Sequence, residues 1–235
     1  MKTQGFKPFW TAVFSAVFFL AACAQPGNGT NQGEEQSNDR RQVLIVTDMG
    51  NITIELYNET PEHRDNFLRL AEEEFYDGIL FHRVISGFMI QAGDPHSKDA
   101  VPGEPLGSGG PGHTVPAEIV PGLFHHKGAL AAARLGDQMN PERRSSGSQF
   151  YFVQGRVWSN EELDQMEIDR GIEIGEQERE AYTTIGGTPH LDKAYSVYGR
   201  VISGLEVVDR IAATETGERD RPIEDVAIIR MEVIK

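Results

Sequence analysis

Hydrophobic and polar residues alternate at the start of the regular part of the chain. In "VLIVTDMGNITIELY", which begins at Val43, the residues Ile52, Ile54 and Leu56 alternate with polar residues, and Asp48-Met49-Gly50 supplies a turn. An alternation with a period of two on either side of a tight turn is typical of a β-hairpin. The pattern therefore predicts that the folded part of the chain begins with two antiparallel strands.

The next segment has the periodicity of a helix. In "TPEHRDNFLRLAEEEFYDG", Thr60 is placed to cap the N-terminus, Pro61 takes the first helical position, and Phe67, Leu70 and Ala71 share one face. Because proline is tolerated in the first turn and the apolar residues form one stripe, we predict an amphipathic helix of about four turns. A second amphipathic helix is predicted near the C-terminus, at "LEVVDRIAA".

Short apolar segments separated by glycine- and proline-rich turns make up most of the remaining chain. They predict strands at "ILFHRVI", "FMIQAGD", "GALAAAR", "SQFYFVQG" and "SVYGRVI", with a last strand at "VAIIRMEVI". Strands outnumber helices. This pattern favours a closed antiparallel barrel or a sandwich over a parallel α/β sheet.

One segment interrupts the series of strands: "WSNEELDQMEIDRGIEIGEQEREAYTTIGG". Ser159 and Glu162, three residues apart, form a capping box, which predicts a helix from Asn160 to about Arg170. Gly171 breaks that helix, and a second helix is expected to end near Thr184. We interpret this acidic segment as a solvated helical excursion from the sheet, and a face that docks a partner is the alternative.

The N-terminus, "MKTQGFKPFWTAVFSAVFFLAAC", has the order of a targeting segment. Lys2 and Lys7 form a basic region, an apolar run follows, and small residues precede Cys23, the only cysteine. This arrangement resembles a bacterial lipoprotein box, which implies a signal peptide over residues 1–22 and lipidation of Cys23. An ordinary signal peptide or an uncleaved anchor helix are the alternatives, although the apolar run is short for a bilayer span of about 20 residues.

Composition divides the rest of the chain in two. Residues 23–41 lack large aliphatic and aromatic side chains, as expected of a flexible linker, and residues 42–235 form the predicted domain, with its helical insertion at about 157–187.

The chain is acidic. Without residues 1–22 it has 20 basic and 36 acidic residues, a net charge of −16. Such a surface repels nucleic acid and anionic lipid, so membrane anchoring would depend on the lipid at Cys23. We expect a monomer attached to the bacterial cell envelope.

The segment "FHRVISGFMIQAGD" places a permanent cation, Arg83, and an amide, Gln91, among apolar residues. Burying either group costs free energy unless hydrogen-bond partners are present. Either other parts of the chain supply those partners or a ligand does.

Five motifs together resemble the cyclophilin family of peptidyl-prolyl isomerases. They are "FHRVISGFMIQAGD", "GSGGPGHTVPAEI", "HHKGALAAAR", "GSQFYFV" and "PHLDKAYSVYG", in the family's order and approximate spacing. The resemblance runs from about Val43 to Lys235, apart from the helical excursion. It implies a mainly β fold: a cyclophilin-like closed eight-stranded antiparallel β-barrel capped by two α-helices, here with an extra helical insertion.

The resemblance also implies a groove that binds a peptide around a proline. Arg83 would be the catalytic residue, Gln91 would bind the peptide, and Gln149 would orient Arg83. The other implied substrate-binding residues form the pocket for the proline ring or line the path of the peptide: Phe88, Met89, Ala133, Arg134, Tyr151, His190, Leu191 and Tyr195. The family requires no cofactor and no metal.

Three positions depart from common members of the family. Tyr151 stands where many have phenylalanine, His190 where tryptophan is common in eukaryotic members, and Tyr195 where those members have histidine. These departures bear on the range of substrates and on cyclosporin sensitivity more than on catalysis. The hydroxyl of Tyr151 in particular is expected at the floor of the pocket.

The predicted function is therefore isomerisation of X–Pro bonds in proline-containing polypeptides of the cell envelope. A proline-peptide binding module, or a holdase chaperone with little turnover, is the alternative. Arg83 argues against that alternative, because a pure binder has less need of a donor aimed at the proline nitrogen. A metal site is not predicted, since no recognised spacing joins His113, Glu118, His125 and His126.

Overall fold

The computed structural model describes residues 39–235. It contains ten strands. They are β1 (Gln42–Thr47), β2 (Gly50–Leu56), β3 (Arg83–Ile85), β4 (Met89–Ala92), β5 (Thr114–Val115), β6 (Ala129–Ala132), β7 (Ser145–Ser146), β8 (Phe150–Val153), β9 (Val197–Ser203) and β10 (Ile228–Val233). Strands β5 and β7 form a small separate pair, and the other eight form one antiparallel sheet.

The large sheet has the order β10-β1-β2-β9-β6-β8-β4-β3 and curls into an open half-barrel. The prediction of a closed barrel is therefore not confirmed. Its edge strands, β3 and β10, are not paired in a ladder. The chain just before β3 does meet the start of β10, because an isolated bridge joins Leu80 to Ala227 and three backbone hydrogen bonds link residues 78–81 to residues 226–228.

The predicted hairpin is confirmed. Val43 pairs with Ile54 and Thr47 pairs with Gly50, so that Asp48 and Met49 form a two-residue turn. Alternate residues of both strands are buried, which is the period of two that the sequence shows.

Within the part of the chain that the structure describes, four α-helices accompany the sheet: α1 (Pro61–Glu72), α2 (Asn160–Arg170), α3 (Glu176–Thr184) and α4 (Leu205–Ala212). Helices α1 and α4 are the two predicted amphipathic helices, and they bury Phe67, Leu70, Val208 and Ile211 in the main core. Helix α1 has 12 residues and is therefore shorter than predicted. Within residues 39–235, no helix is both long and apolar enough to cross a membrane.

Helices α2 and α3 lie between β8 and β9 and begin and end as the sequence predicts. Ser159 and Glu162 make both hydrogen bonds of the capping box, and Gly171 ends α2 in the left-handed conformation with φ of +63°. The two helices share a small core of their own, in which Leu163, Ile174 and Tyr182 pack against Phe124.

The end of the predicted linker contacts the sheet. Arg40, which belongs to that linker, makes an ion pair of 3.1 Å with Glu55 on β2.

Candidate active site

A groove of about 740 Å³ lies where β3, β4 and β8 meet two loops. The sheet register explains how it is built, because Arg83 on β3 pairs with Gln91 on β4, and Gln91 pairs with Tyr151 on β8. Residues opposite each other in neighbouring strands point to the same face of a sheet. The motifs "FHRVISGFMIQAGD" and "GSQFYFV" thus place a cation, an amide and an aromatic ring in one row.

The apolar side of the groove comes from separate parts of the chain. Met89 and Tyr151 are buried at its base, and Phe88, Leu191 and Tyr195 pack against them. Leu191 ends a short 3₁₀ helix, Pro189–Leu191, which brings it beside the sheet. The result is a wall suited to a small apolar ring.

Arg83 has an almost unpartnered guanidinium. Its side chain is 42% exposed, and Nε donates one long hydrogen bond of 3.4 Å to Oδ2 of Asp220. Among the described residues, the two terminal nitrogens of Arg83 have no hydrogen-bond acceptor. These donors are therefore available to a ligand in the groove.

Gln91 has a partner within the chain. Its Nε2 donates to Oε1 of Gln149 at 3.0 Å, and Nε2 of Gln149 donates to the carbonyls of Gly107 and Gly109 at 3.0 and 2.8 Å. The prediction that Gln149 orients Arg83 is wrong. Gln149 instead holds Gln91, because the two bonds to the loop carbonyls fix its amide so that its Oε1 accepts from Nε2 of Gln91.

Arg134 lines the groove together with Ala133, but its Nε and Nη1 are already bonded within the chain. Its Nε donates to the carbonyl of Ala194 at 2.9 Å, and Nη1 donates to Asp137 at 2.6 Å. The guanidinium also lies 4.4 Å from the ring centre of Tyr195, within cation–π range. Arg134 is therefore part of the wall rather than a free donor.

His190 is not among the residues that line the groove, and its contact with substrate stays a prediction. Its ring centre lies 5.4 Å from that of Phe88. His190 therefore supports the apolar wall through Phe88. Burial is the main cause that lowers the pKa of His190, which favours its neutral form in this position.

The opposite side of the groove consists of two loops, residues 102–107 and 217–223, that sequence reasoning did not assign to the site. Arg221 joins them, because its Nη1 donates to the carbonyls of Val101 and Glu104 at 3.0 Å each, and Nη2 donates to Asp225 at 3.0 Å. A nearly buried arginine bonded to carbonyls of a distant loop has no local sequence signature.

His82, between Phe81 and Arg83, also lines the groove and was not predicted. It is 4% exposed, and neither ring nitrogen has a hydrogen-bond partner among the described residues. Burial lowers the pKa of His82 to about 4. The ring is therefore neutral at neutral pH and adds no second charge beside Arg83.

No group of three or more His, Cys, Asp or Glu side chains within residues 39–235 is arranged to hold a metal ion. Cys23, the predicted site of lipidation, lies outside the described residues.

An open half-barrel with this groove on its face is the fold of a cyclophilin, and the comparison with solved structures agrees. The crystal structure of a Cryptosporidium parvum cyclophilin type peptidyl-prolyl cis-trans isomerase superposes with a TM-score of 0.62 at 24% identity, over 84% of this chain and 99% of that one. A second structure of that protein was solved in the presence of the dipeptide Ala-Pro, with a TM-score of 0.61.

Sequence comparison identifies the family. The model described as "Cyclophilin type peptidyl-prolyl cis-trans isomerase/CLD" matches residues 42–233. A Staphylococcus haemolyticus protein assigned as a peptidyl-prolyl cis-trans isomerase is 34% identical over 85% of this chain and 94% of its own length. A Staphylococcus aureus protein with the same assignment is 36% identical over 82% of this chain and 91% of its own length. The chain belongs to the cyclophilin-type peptidyl-prolyl cis-trans isomerases.

One relative is much longer. A Streptococcus pyogenes protein assigned as a bifunctional phosphatase/peptidyl-prolyl cis-trans isomerase is 38% identical over 82% of this chain, and this chain spans 38% of its length. The likeness concerns only that matched part.

Proposed function

We propose that this isomerase acts on proline-containing proteins of the bacterial cell envelope, with Arg83 as its catalytic residue. The observation that carries the proposal is the guanidinium of Arg83, whose terminal nitrogens have no acceptor among the described residues and which lies half-exposed beside an apolar wall, in one row with Gln91 and Tyr151. This arrangement offers charged donors next to a site for an apolar ring.

The chemistry of the reaction explains why these two features belong together. Rotation about an X–Pro bond is slow because twisting breaks the amide resonance, a barrier of roughly 18–20 kcal/mol. In the twisted state the proline nitrogen becomes pyramidal and gains a lone pair. The terminal nitrogens of Arg83 donate to that lone pair, an interaction that the planar ground state cannot make.

The other groove residues hold the substrate during the rotation. The wall of Phe88, Met89, Tyr151 and Leu191 receives the proline ring, and Gln91, fixed by Gln149, is the polar contact for the peptide. The Ala-Pro dipeptide used with the Cryptosporidium parvum relative supports a ligand of this kind. No cofactor takes part in this mechanism.

The cell-envelope location rests on the N-terminal sequence. The lipoprotein-like segment before Cys23 and the polar residues that follow it support a domain tethered to a membrane by a lipid. The acidic domain would then remain solvated near the membrane surface.

A refolding experiment tests the proposal. A form containing residues 39–235 is added in substoichiometric amounts to an unfolded protein whose refolding is limited by a proline bond. We expect the slow phase to become faster in proportion to the enzyme, because one molecule serves many bonds. Acceleration that requires stoichiometric amounts would instead indicate a proline-peptide binding module or a holdase.

A further inference from the structure

Four buried polar side chains form a continuous hydrogen-bonded chain behind the groove. The hydroxyl of Tyr151 lies 3.0 Å from Nε2 of His125, and Nδ1 of His125 lies 2.7 Å from Oδ1 of Asp192. The hydroxyl of Tyr182 donates to Oδ2 of the same carboxylate at 2.5 Å. His125 and Tyr182 are fully buried, and Tyr151 is 4% exposed.

The chemistry of the groups fixes the order of the protons. Asp192 also accepts a hydrogen bond from the backbone amide of His125 at 2.9 Å, so its carboxylate has three donors around it. With Nδ1 of His125 donating to that carboxylate, Nε2 is left as the acceptor for Tyr151. Burial raises the pKa of Tyr151 and of Tyr182, which keeps both hydroxyls protonated as donors.

This chain of hydrogen bonds joins the helical insertion to the groove. Tyr182 lies on α3, where it also packs in the core shared by α2 and α3. Tyr151 lies on β8 and lines the groove. Asp192 follows Leu191 of the apolar wall directly in sequence. The insertion is thus in polar contact with the floor of the groove through two residues, Asp192 and His125.

The arrangement also determines which part of Tyr151 meets a ligand. Because the hydroxyl bonds to the fully buried His125, it is directed away from the groove, and the groove receives the ring. The sequence-based expectation of a hydroxyl at the floor of the pocket is corrected in this respect. A tyrosine released from His125 would need another partner for its hydroxyl, since an unpaired buried hydroxyl is costly.

We infer that Tyr182 is a positioning residue for the proline groove, acting through Asp192 and His125 to hold the ring of Tyr151 in place. The helical insertion is then part of the substrate site, although no residue of α2 or α3 lines the groove. This inference rests on the proposed role of the groove in binding proline.

A double-mutant cycle on the full domain tests the inference. Tyr182→Phe keeps the packed ring but removes the hydrogen bond to Asp192, and Tyr151→Phe removes the other end of the chain. For an X–Pro peptide we expect Tyr182→Phe to raise KM about threefold with kcat nearly unchanged, a small part of the strength of a hydrogen bond to a carboxylate, because the effect reaches the groove only through Asp192 and His125. In a Tyr151→Phe background the same change should raise KM less than half as much, because no hydroxyl then depends on His125.

Tyr76→Phe is the matched control. It also removes a buried tyrosine hydroxyl, one that donates to the carbonyl of Ser148 at 3.4 Å, and Tyr76 does not line the groove. We expect its KM to equal that of the wild type. An unchanged KM in a folded Tyr182→Phe protein, or an equal rise in both backgrounds, would overturn the inference. If thermal unfolding shows that Tyr182→Phe does not fold, Asp192→Asn replaces it and is held to the same two outcomes.

Nitrogen NMR of His125 gives a readout that needs no substrate. We expect the wild type to carry its proton on Nδ1, and Tyr182→Phe to shift the Nε2 resonance as well as that of Nδ1. An Nε2 resonance that does not respond to Tyr182→Phe would contradict the coupling. An inactive wild type with coupled nitrogen shifts would instead count against the proposed function alone.

Discussion

Arg83 and Arg134 carry the same side chain into one groove, but their surroundings differ. Arg134 is 5% exposed in its side chain and bonded to Ala194 and Asp137, whereas Arg83 is 42% exposed and bonded only to Asp220 among the described residues. A guanidinium whose donors are already used has little to offer a ligand. The contrast supports the proposal that Arg83 is the donor that acts on substrate.

Asp220 is expected to steady Arg83. Its carboxylate accepts a hydrogen bond from Nε of Arg83, so Asp220→Asn should leave the orientation of the guanidinium less restrained. We expect kcat/KM to fall about threefold, which corresponds to roughly 0.6 kcal/mol for a half-exposed pair. Steady-state assays on a folded protein provide the measurement. A kcat/KM equal to that of the wild type would show that the ion pair has no positioning role.

His82 predicts a dependence of stability on pH. Its pKa in the folded protein is about 4, below the ordinary value of 6.5, so between these values protons bind the unfolded chain preferentially. The resulting stability is full above pH 6.5 and is lost as the pH falls towards 4. Between pH 7 and pH 5 the unfolding free energy of the wild type should therefore fall by about 2 kcal/mol more than that of His82→Phe.

Urea unfolding at the two pH values measures this difference. His96→Gln serves as the control, because the side chain of His96 is 66% exposed. That variant should follow the wild type. If His82→Phe also follows the wild type, burial of a neutral His82 does not contribute to the pH dependence.

Single residues of the groove could be predicted from sequence only where a local motif carries them. The row of Arg83, Gln91 and Tyr151 follows from strand pairing within such motifs. The partner of Gln149 could not be predicted, because Gln91 lies 58 positions away and an amide accepts many partners. The hydrogen bond between Tyr151 and His125 could not be predicted for the same reason.

At the scale of elements, the N-terminus of α1 has an unexpected cap. Thr60 occupies the predicted position, but its hydroxyl donates to the carbonyl of Tyr57 and does not cap the helix. The carboxylate of Glu118 instead accepts from the backbone amides of Glu62 and His63 at 3.1 and 2.9 Å, and lies 2.6 Å from Nδ1 of His63. A distant residue thus takes the role that the local sequence assigns to Thr60.

Removing this cap should destabilise the domain. Burial alone would raise the pKa of Glu118, but hydrogen bonds from His63 and the backbone hold it below its ordinary value. Glu118→Ala should lower the unfolding free energy by about 1–2 kcal/mol at neutral pH, the value of an N-cap. The difference should shrink as acid protonates the carboxylate.

Chemical unfolding of Glu118→Ala and of the exposed first-turn variant Glu62→Ala gives the comparison. The control should lose about 0.5 kcal/mol, because Glu62 contributes only through the helix dipole. Equal losses in the two variants would contradict a specific capping role for Glu118.

Elements with a strong local signal were predicted well. The hairpin, both amphipathic helices and the capping box of α2 depend on residues within a few positions of each other. Closure of the sheet depends instead on contacts between β3 and β10 and the residues before them, which lie more than a hundred residues apart. The sequence pattern carries no information on how far such distant segments pair, so the closed barrel could not be predicted reliably.

At the scale of the whole molecule, the predicted attachment to the membrane can be tested separately from the activity of the folded domain. We expect Cys23→Ser to move the protein from the membrane fraction to the soluble fraction, because a surface with this acidic excess has no other attraction to anionic lipid. Cell fractionation measures the change. Mass spectrometry that finds an unmodified Cys23 in mature wild-type protein would rule out the lipid anchor.

The central claim is that the guanidinium of Arg83 stabilises the twisted X–Pro bond, and kcat/KM of Arg83 variants tests it most directly. Arg83→Lys keeps the charge but loses the planar set of donors, and Arg83→Ala loses both. We expect a graded fall, with alanine costing at least about 2–3 kcal/mol in transition-state stabilisation, while stability changes little because Arg83 is half-exposed. A folded Arg83→Ala protein that still accelerates an X–Pro peptide as the wild type does would contradict this account.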